Sequence, residues 1–158
     1  MSLELDIKQP KFTSIYQKTA VNIFFTSGWL ESQQSEILKP YGLSIQQYNI
    51  LRILRGQYPN PARVSLLIER MMDKMSNASR LVDKLLAKGL ATRSLCNDDR
   101  RAVDIVLTTK GITVLEQLDL KQIEWEKMLQ KQLTDQEATL LNSLLDKLRH
   151  HSSESDTI

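Results

Sequence analysis

Between Arg63 and Gly111 the apolar positions change period, and the rest of the chain is arranged around that change. From Ser76 to Lys88, Ala78, Leu81, Val82, Leu85 and Leu86 fall at i, i+3, i+4, i+7 and i+8, the single stripe of an amphipathic helix. Gly89 follows as a left-handed stop. Upstream, Val64, Leu67, Ile68 and Met71 repeat the spacing over about Val64 to Met72, and only Asp73, Lys74 and Met75 separate the two stripes. So short a link forces the helices to cross steeply. After Gly89 the pattern alternates: Ala91, Arg93 and Leu95, then Val103, Ile105 and Leu107, around the charged, turn-forming tip Cys96–Arg101. Two short helices followed by a charged β-hairpin is the plan of a winged helix-turn-helix.

Longer helical patterns flank this unit. Pro10 separates a short extended arm from a helix of about Thr13 to Leu38, whose Ile15, Thr19, Asn22, Ile23, Thr26, Leu30 and Ile37 form a patchy face. Phe24, Phe25 and Trp29 add apolar surface on other sides, and a helix apolar on more than one face has two partners. Gly28 inside it marks a kink or the close approach of another helix. Lys39–Gly42 stops this helix, and Ser44 with Gln47 forms a capping box for the next, from which Tyr48, Leu51, Ile53 and Leu54 point inward and Arg52 and Arg55 outward. Tyr58–Pro61 is a rigid loop into the central unit. Beyond the hairpin, Thr108 or Thr109 caps a helix to about Gln132 carrying Ile112, Leu115, Leu118, Ile123, Trp125 and Leu129. Thr134 and Glu137 form a second capping box, before a stripe of Ala138, Leu141, Leu144, Leu145 and Leu148.

The expected fold is therefore mainly α with a small β-hairpin wing. Its divisions are an arm and helix over residues 1–40, the winged helix-turn-helix over 41–111, C-terminal helices over 112–150 and a polar, disordered tail over 151–158. Long apolar helices at both ends are read as a dimer interface rather than as two ends of a monomer packing on each other. Doubling the small footprint of one winged helix gives two half-sites roughly 34 Å apart.

Net charge is only +2 over 158 residues, which does not by itself point to nucleic acid. Its distribution does. Arg63 to Gly111 holds ten Lys/Arg against six Asp/Glu, a net +4 that leaves −2 for the remainder. The single cysteine, Cys96, excludes an internal disulfide and a Cys-rich zinc site and fits a reducing cytosol. The acidic start Met1–Asp6 is not a signal peptide, and Ile23–Phe25 is too short to span a bilayer, so a cytoplasmic protein is expected. The only histidines are His150 and His151, and no phosphate loop, nucleophile elbow or metal-ligand cluster is present. An enzyme is not expected, nor a cofactor or metal. Asp98 and Asp99 stand beside Arg100 and Arg101 as a structural ion pair rather than a catalytic one, and Met71, Met72 and Met75 are read as core and turn packing.

On the face opposite the stripe of the second short helix lie Ser76, Asn77, Ser79, Arg80, Asp83 and Lys84, mostly short donors and acceptors with two cations, suited to base edges and phosphates in a major groove. Lys74, just before it, is counted with this reading set, and Arg93, Asp98, Asp99, Arg100 and Arg101 form a wing for the minor groove or its flanking phosphates. Ser79–Leu85, Lys88-Gly89-Leu90, Asp99-Arg100-Arg101 and Leu107–Gly111 together resemble the recognition helix, wing and post-wing helix start of the MarR family of bacterial regulators. The motifs keep the family's order and approximate spacing, and the helical flanks extend the likeness over nearly the whole chain. One departure is Lys74, which stands where the family usually has a small capping residue, leaving Asp73 as the expected cap.

The resemblance implies a homodimeric regulator of transcription, a repressor, that binds a palindromic double-stranded DNA operator and responds to a small molecule or stress signal. A small aromatic effector would lie near Phe24, Trp29 and Tyr48, on helices expected to border the junction of the dimer and DNA-binding lobes. Relatives that sense peroxide carry a reactive thiol in the first helix region, which here has none, so Cys96 is read as a small wing residue. The competing reading is a winged-helix module that contacts proteins and never grips DNA. A basic outer face of short side chains speaks against it, since a protein-binding face carries exposed aromatic or aliphatic side chains.

Overall fold

The computed structural model describes residues 2–95 and 103–150. In chain order these form α1 (Leu3–Asp6), α2 (Ile15–Leu38), a 3-10 turn (Lys39–Tyr41), α3 (Ile45–Gln57), β1 (Ala62–Arg63), α4 (Val64–Arg70), α5 (Ala78–Ala87), β2 (Ala91–Leu95), β3 (Val103–Leu107), α6 (Thr109–Gln130) and α7 (Asp135–Arg149). Two compact units divide between Leu118 and Asp119, so α6 contributes to both.

Side-chain caps fix where the helices begin. Ser44 Oγ accepts the Gln47 amide while Gln47 Oε1 accepts the Ser44 amide, so the expected capping box starts α3. Thr134 and Glu137 do the same at α7, and their hydrogen bonds hold the Glu137 carboxyl below the usual glutamate range. Thr108 Oγ accepts the Gly111 amide at 3.1 Å, which settles the start of α6 in favour of Thr108.

In the first unit Leu38, Ile50, Leu51, Leu54, Leu67, Leu85, Ile105, Leu115 and Leu118 are fully buried. This core takes side chains from the end of α2, from α3, α4, α5 and β3, and from the first turns of α6, so it reaches beyond the 41–111 span on both sides. Burial of each such side chain contributes about 1.5–3 kcal/mol. The sheet has the order β1-β3-β2, all antiparallel, with Ala91 opposite Leu107 and Ala62 opposite Ile105. The third strand is not foreseen from sequence, because a two-residue strand carries no alternation to read.

Five other expectations change. The N-terminal arm is not extended: Leu3–Asp6 forms one helical turn, Leu3 is buried, and Lys18 of α2 donates to the Glu4 carboxylate, pulling it to a pKa of about 2. Helix α4 ends at Arg70, before Met72, and Met71 already has extended backbone. The helical period therefore stops there. Met71 is core, but Met72 is 84% and Met75 94% exposed, against the reading of all three as packing. Within α4, Ile68 is half-exposed and Leu66 packs on the core in its place. At Gly28 a Cβ would meet nothing within 4 Å, so among the described residues no other helix approaches it closely.

The second unit, Asp119 onward, contains the end of α6 and α7. The expected stripe on α7 is present, yet no α7 residue is buried, and Leu140, Leu141, Leu144 and Leu148 are exposed.

The first unit packs closely where α5 ends and α6 begins. Gly89 adopts φ 68° and turns the chain out of α5. Its carbonyl accepts the Thr108 hydroxyl at 2.7 Å, the Lys88 carbonyl accepts the Lys110 ammonium at 2.8 Å, and the Leu90 carbonyl accepts the Thr108 amide at 3.2 Å. The Lys88 ammonium in turn donates to the Gly42 carbonyl, tying this junction to the segment before α3. Gly111 sits against the Leu90 carbonyl so closely that a Cβ would overlap its oxygen, with Leu107 Cδ2 only 3.2 Å away. Gly111→Ala must push backbone rather than a flexible side chain. It is expected to cost roughly 1–3 kcal/mol in urea unfolding, as overpacked sites do. Wild-type stability in that variant would show that the junction yields freely.

Candidate nucleic-acid interface

Helix α5 has the two faces its sequence calls for. Ala78, Val82 and Leu85 are buried, Leu81 and Leu86 pack partly on the core, and Ser79, Arg80, Asp83 and Lys84 face solvent. Ser79, Arg80 and Lys84 thus lie together on a surface held by five apolar anchors beneath it. Three links of the α5–α6 junction, the Lys88 bond to Gly42 and the α5 cap leave this face little freedom to rotate.

The start of α5 differs from the sequence reading. The helix begins at Ala78, and Asn77 is its cap: Asn77 Oδ1 accepts the Arg80 amide at 3.0 Å. Asp73, the expected cap, organises the preceding turn instead. One of its carboxylate oxygens accepts the Met75 amide at 2.9 Å and the other the Ser76 hydroxyl at 2.6 Å, which together hold its pKa below the usual aspartate value. Ser76 is therefore outside the helix with its hydroxyl already engaged. Lys74 is also outside the helix. Its ammonium donates back to the carbonyls of Ile68 at 3.3 Å and of Glu69, closing the C-terminal end of α4, where a cation is favoured. The sequence shows these residues as a polar run next to a helical stripe. It does not show that the turn's own backbone engages them first.

On the wing, Arg93 Nη2 donates to Asp83 Oδ1 at 3.0 Å and fastens β2 to the outer face of α5. Both side chains are more than half exposed, so the pair orients more than it stabilises. At the base of the sheet, Arg63 on β1 stands opposite Asp104 on β3, with Nε 4.0 Å from the carboxylate. Asp104 is one of the few buried charged residues, and sequence reasoning did not single it out. Cys96, Asp98, Asp99, Arg100 and Arg101 fall outside the described residues.

The three aromatic residues assigned to an effector site occupy different surroundings. Tyr48 is core, its hydroxyl accepting from Arg52 Nη1 at 3.2 Å and its ring lying 5.9 Å from that guanidinium. Phe24 is 77% exposed, and Trp29 is 43% exposed on the same helix, α2. A buried tyrosine and an open phenylalanine do not make the wall of one pocket. Among the described residues no cluster of His, Cys, Asp or Glu could hold a metal ion, and no helix is long and apolar enough to cross a membrane.

Residues 43–103 match the model of the MarR family. The HTH-type transcriptional regulator PapX of Escherichia coli is 27% identical over 125 residues, covering 79% of this chain and 76% of that protein. PecS of Dickeya dadantii, also an HTH-type transcriptional regulator, is 26% identical over 117 residues, covering 73% of this chain and 70% of its own. Among solved structures, a MarR-like transcription regulator from Bacillus cereus superposes with a TM-score of 0.74 at 22% identity, covering 84% of this chain and 94% of that one. A MarR transcription factor from Planctomyces limnophilus gives 0.65 at 27% identity, with 86% and 98% covered.

The role of Asn77 is open to a direct check. As a cap it stabilises the free protein, so Asn77→Ala is expected to lower unfolding free energy by about 1 kcal/mol without DNA, and Asn77→Ser to restore most of it. A side chain that only reads bases would leave the stability of the free protein unchanged in both variants.

Proposed function

We propose that the chain is a MarR-family winged-helix transcription regulator that acts as a homodimer in the cytoplasm, repressing transcription from a palindromic operator until a signal weakens its grip. Members of this family are regulators of transcription and not enzymes. The observation that carries the DNA reading is the exposed face of α5. Ser79, Arg80 and Lys84 stand clear of the core on a helix fixed at both ends, the arrangement by which a recognition helix enters a major groove. Arg80 is the residue best suited to a bidentate contact with guanine, and Lys84 to phosphate. Arg93 is assigned to holding the wing through Asp83 rather than to DNA. Arg100 and Arg101 remain proposed phosphate or minor-groove contacts on the strength of their sequence position.

In a titration against a duplex selected from a random pool, Arg80→Ala is expected to lose about 5- to 150-fold in specific affinity. An Arg100→Ala, Arg101→Ala double variant should flatten the salt dependence by about one slope unit per phosphate contact removed. Unchanged affinity in the first, or an unchanged slope in the second, would remove that residue from the interface. The effector is proposed to be a small aromatic compound acting through Trp29 and Phe24. Phenolic acids added to the same titration should weaken binding by about 5- to 150-fold if one of them is coupled to it.

Support for the dimer comes from apolar surface that each unit leaves open. Helix α2 exposes Ile15, Tyr16, Phe24, Phe25 and Trp29, and α7 exposes Leu140, Leu141, Leu144 and Leu148. Surface of this kind marks association. Sedimentation equilibrium at micromolar concentration is expected to give twice the 18.2 kDa chain mass. A single species at the chain mass would overturn the dimer.

A further inference from the structure

Four residues in the turn between α4 and α5, Asp73, Lys74, Ser76 and Asn77, carry polar side chains, and those groups bond back onto the protein. The Asp73 carboxylate holds Met75 and Ser76, the Lys74 ammonium lies on the end of α4, the Ser76 hydroxyl donates to Asp73, and Asn77 Oδ1 caps α5. Outward beside the exposed but internally bonded Asp73, Lys74 and Asn77 stand two apolar side chains, Met72 at 84% exposure and Met75 at 94%.

Their backbones are nonetheless held. The Met72 amide donates to Asn49 Oδ1 of α3 at 3.0 Å, and the Met75 amide to Asp73 Oδ1 at 2.9 Å. Two side-chain acceptors thus anchor the backbone of two methionines that bury almost nothing. The bonds tie the turn to α3 and to itself, while the two side chains add nothing to the core. It does fix where two long thioether side chains leave the surface, immediately ahead of the recognition helix, at the end of such a helix that lies deepest against base edges.

We propose that Met72 and Met75 are specificity residues that contact thymine 5-methyl groups in the major groove. The proposal rests on the DNA reading of α5 given above. Thymine is the one base with an apolar group on its major-groove edge, and apolar side chains are its partners there. Methionine is unbranched and adaptable, so it can follow a methyl group without a fixed hydrogen-bond geometry. Since Lys74 is drawn back onto α4, the turn offers no ammonium of its own to compete for guanine or phosphate at this position. Recognition here would therefore favour thymine by its methyl group and not by polar readout.

Deoxyuridine tests this, because it pairs and stacks as thymine does but lacks the methyl group. A duplex selected from a random pool by the wild-type protein is remade with each thymine in turn replaced by deoxyuridine. At one or two positions per half-site the wild type should lose about fourfold in affinity, the value of one buried methyl-sized group. Met75→Ala or Met72→Ala should bind the thymine duplex more weakly by a similar factor and be indifferent to deoxyuridine at that same position, with wild-type unfolding stability. Affinity insensitive to deoxyuridine throughout, or equally sensitive in wild type and both variants, would overturn the proposal while leaving DNA binding intact. Failure to enrich any sequence would overturn both this and the DNA reading. Loss of a protein partner, with DNA affinity unchanged in the variants, would assign the methionines to a protein contact instead.

Discussion

The orientation of α5 depends on the close approach of two short segments, Lys88-Gly89-Leu90 and Thr108–Gly111. Carbonyls of the last α5 turn are taken by the amides of Lys88, Gly89 and Leu90, which wrap the end of the helix. Just beyond it the Thr108 hydroxyl donates to the Gly89 carbonyl and the Lys110 ammonium to that of Lys88, and Gly111 lets the backbone of α6 come near enough for them to reach. One junction therefore ends α5, starts α6 and sets the base of the β2–β3 pair. The Lys88 ammonium extends the same junction to Gly42, before α3.

Seen this way, the exposed chemistry of α5 follows from what is fastened beneath and around it. Ala78, Val82 and Leu85 settle which face is outside, Asn77 settles where the helix starts, and the junction settles where it ends. Arg93 then holds the wing strand to Asp83 of that outer face. Arg80 and Lys84 are presented by a frame whose bonds are nearly all made by other residues.

Much of this was legible in the sequence because it rests on periodicity and on capping residues. The stripe from Ala78 to Leu86, the boxes at Ser44 and Thr134 and the alternation of Ala91 to Leu107 each have one structural solution, and the chain adopts it. What was misread involves side chains whose partner lies nearby but follows no period. Lys74 and Ser76 look like surface donors until the turn's carbonyls and the Asp73 carboxylate are placed beside them. Met72 and Met75 continue an apolar count that the backbone abandons at Met71. Phe24 and Tyr48 share a chemical class but not an environment, since one side of α2 is left open while Tyr48 of α3 is enclosed.

The sequence order of the junction also bears on synthesis. A chain emerging from the ribosome releases α3, α4 and α5 well before Thr108, Lys110 and Gly111 appear. Until then the Lys88 and Gly89 carbonyls lack these donors and β2 lacks its partner strand, so the early chain can collapse on its leucines without fixing the pose of the helix. A nascent or prematurely ended product would therefore carry the residues of α5 without the frame that presents them. Competence arrives late and all together, when the first turn of α6 comes into reach.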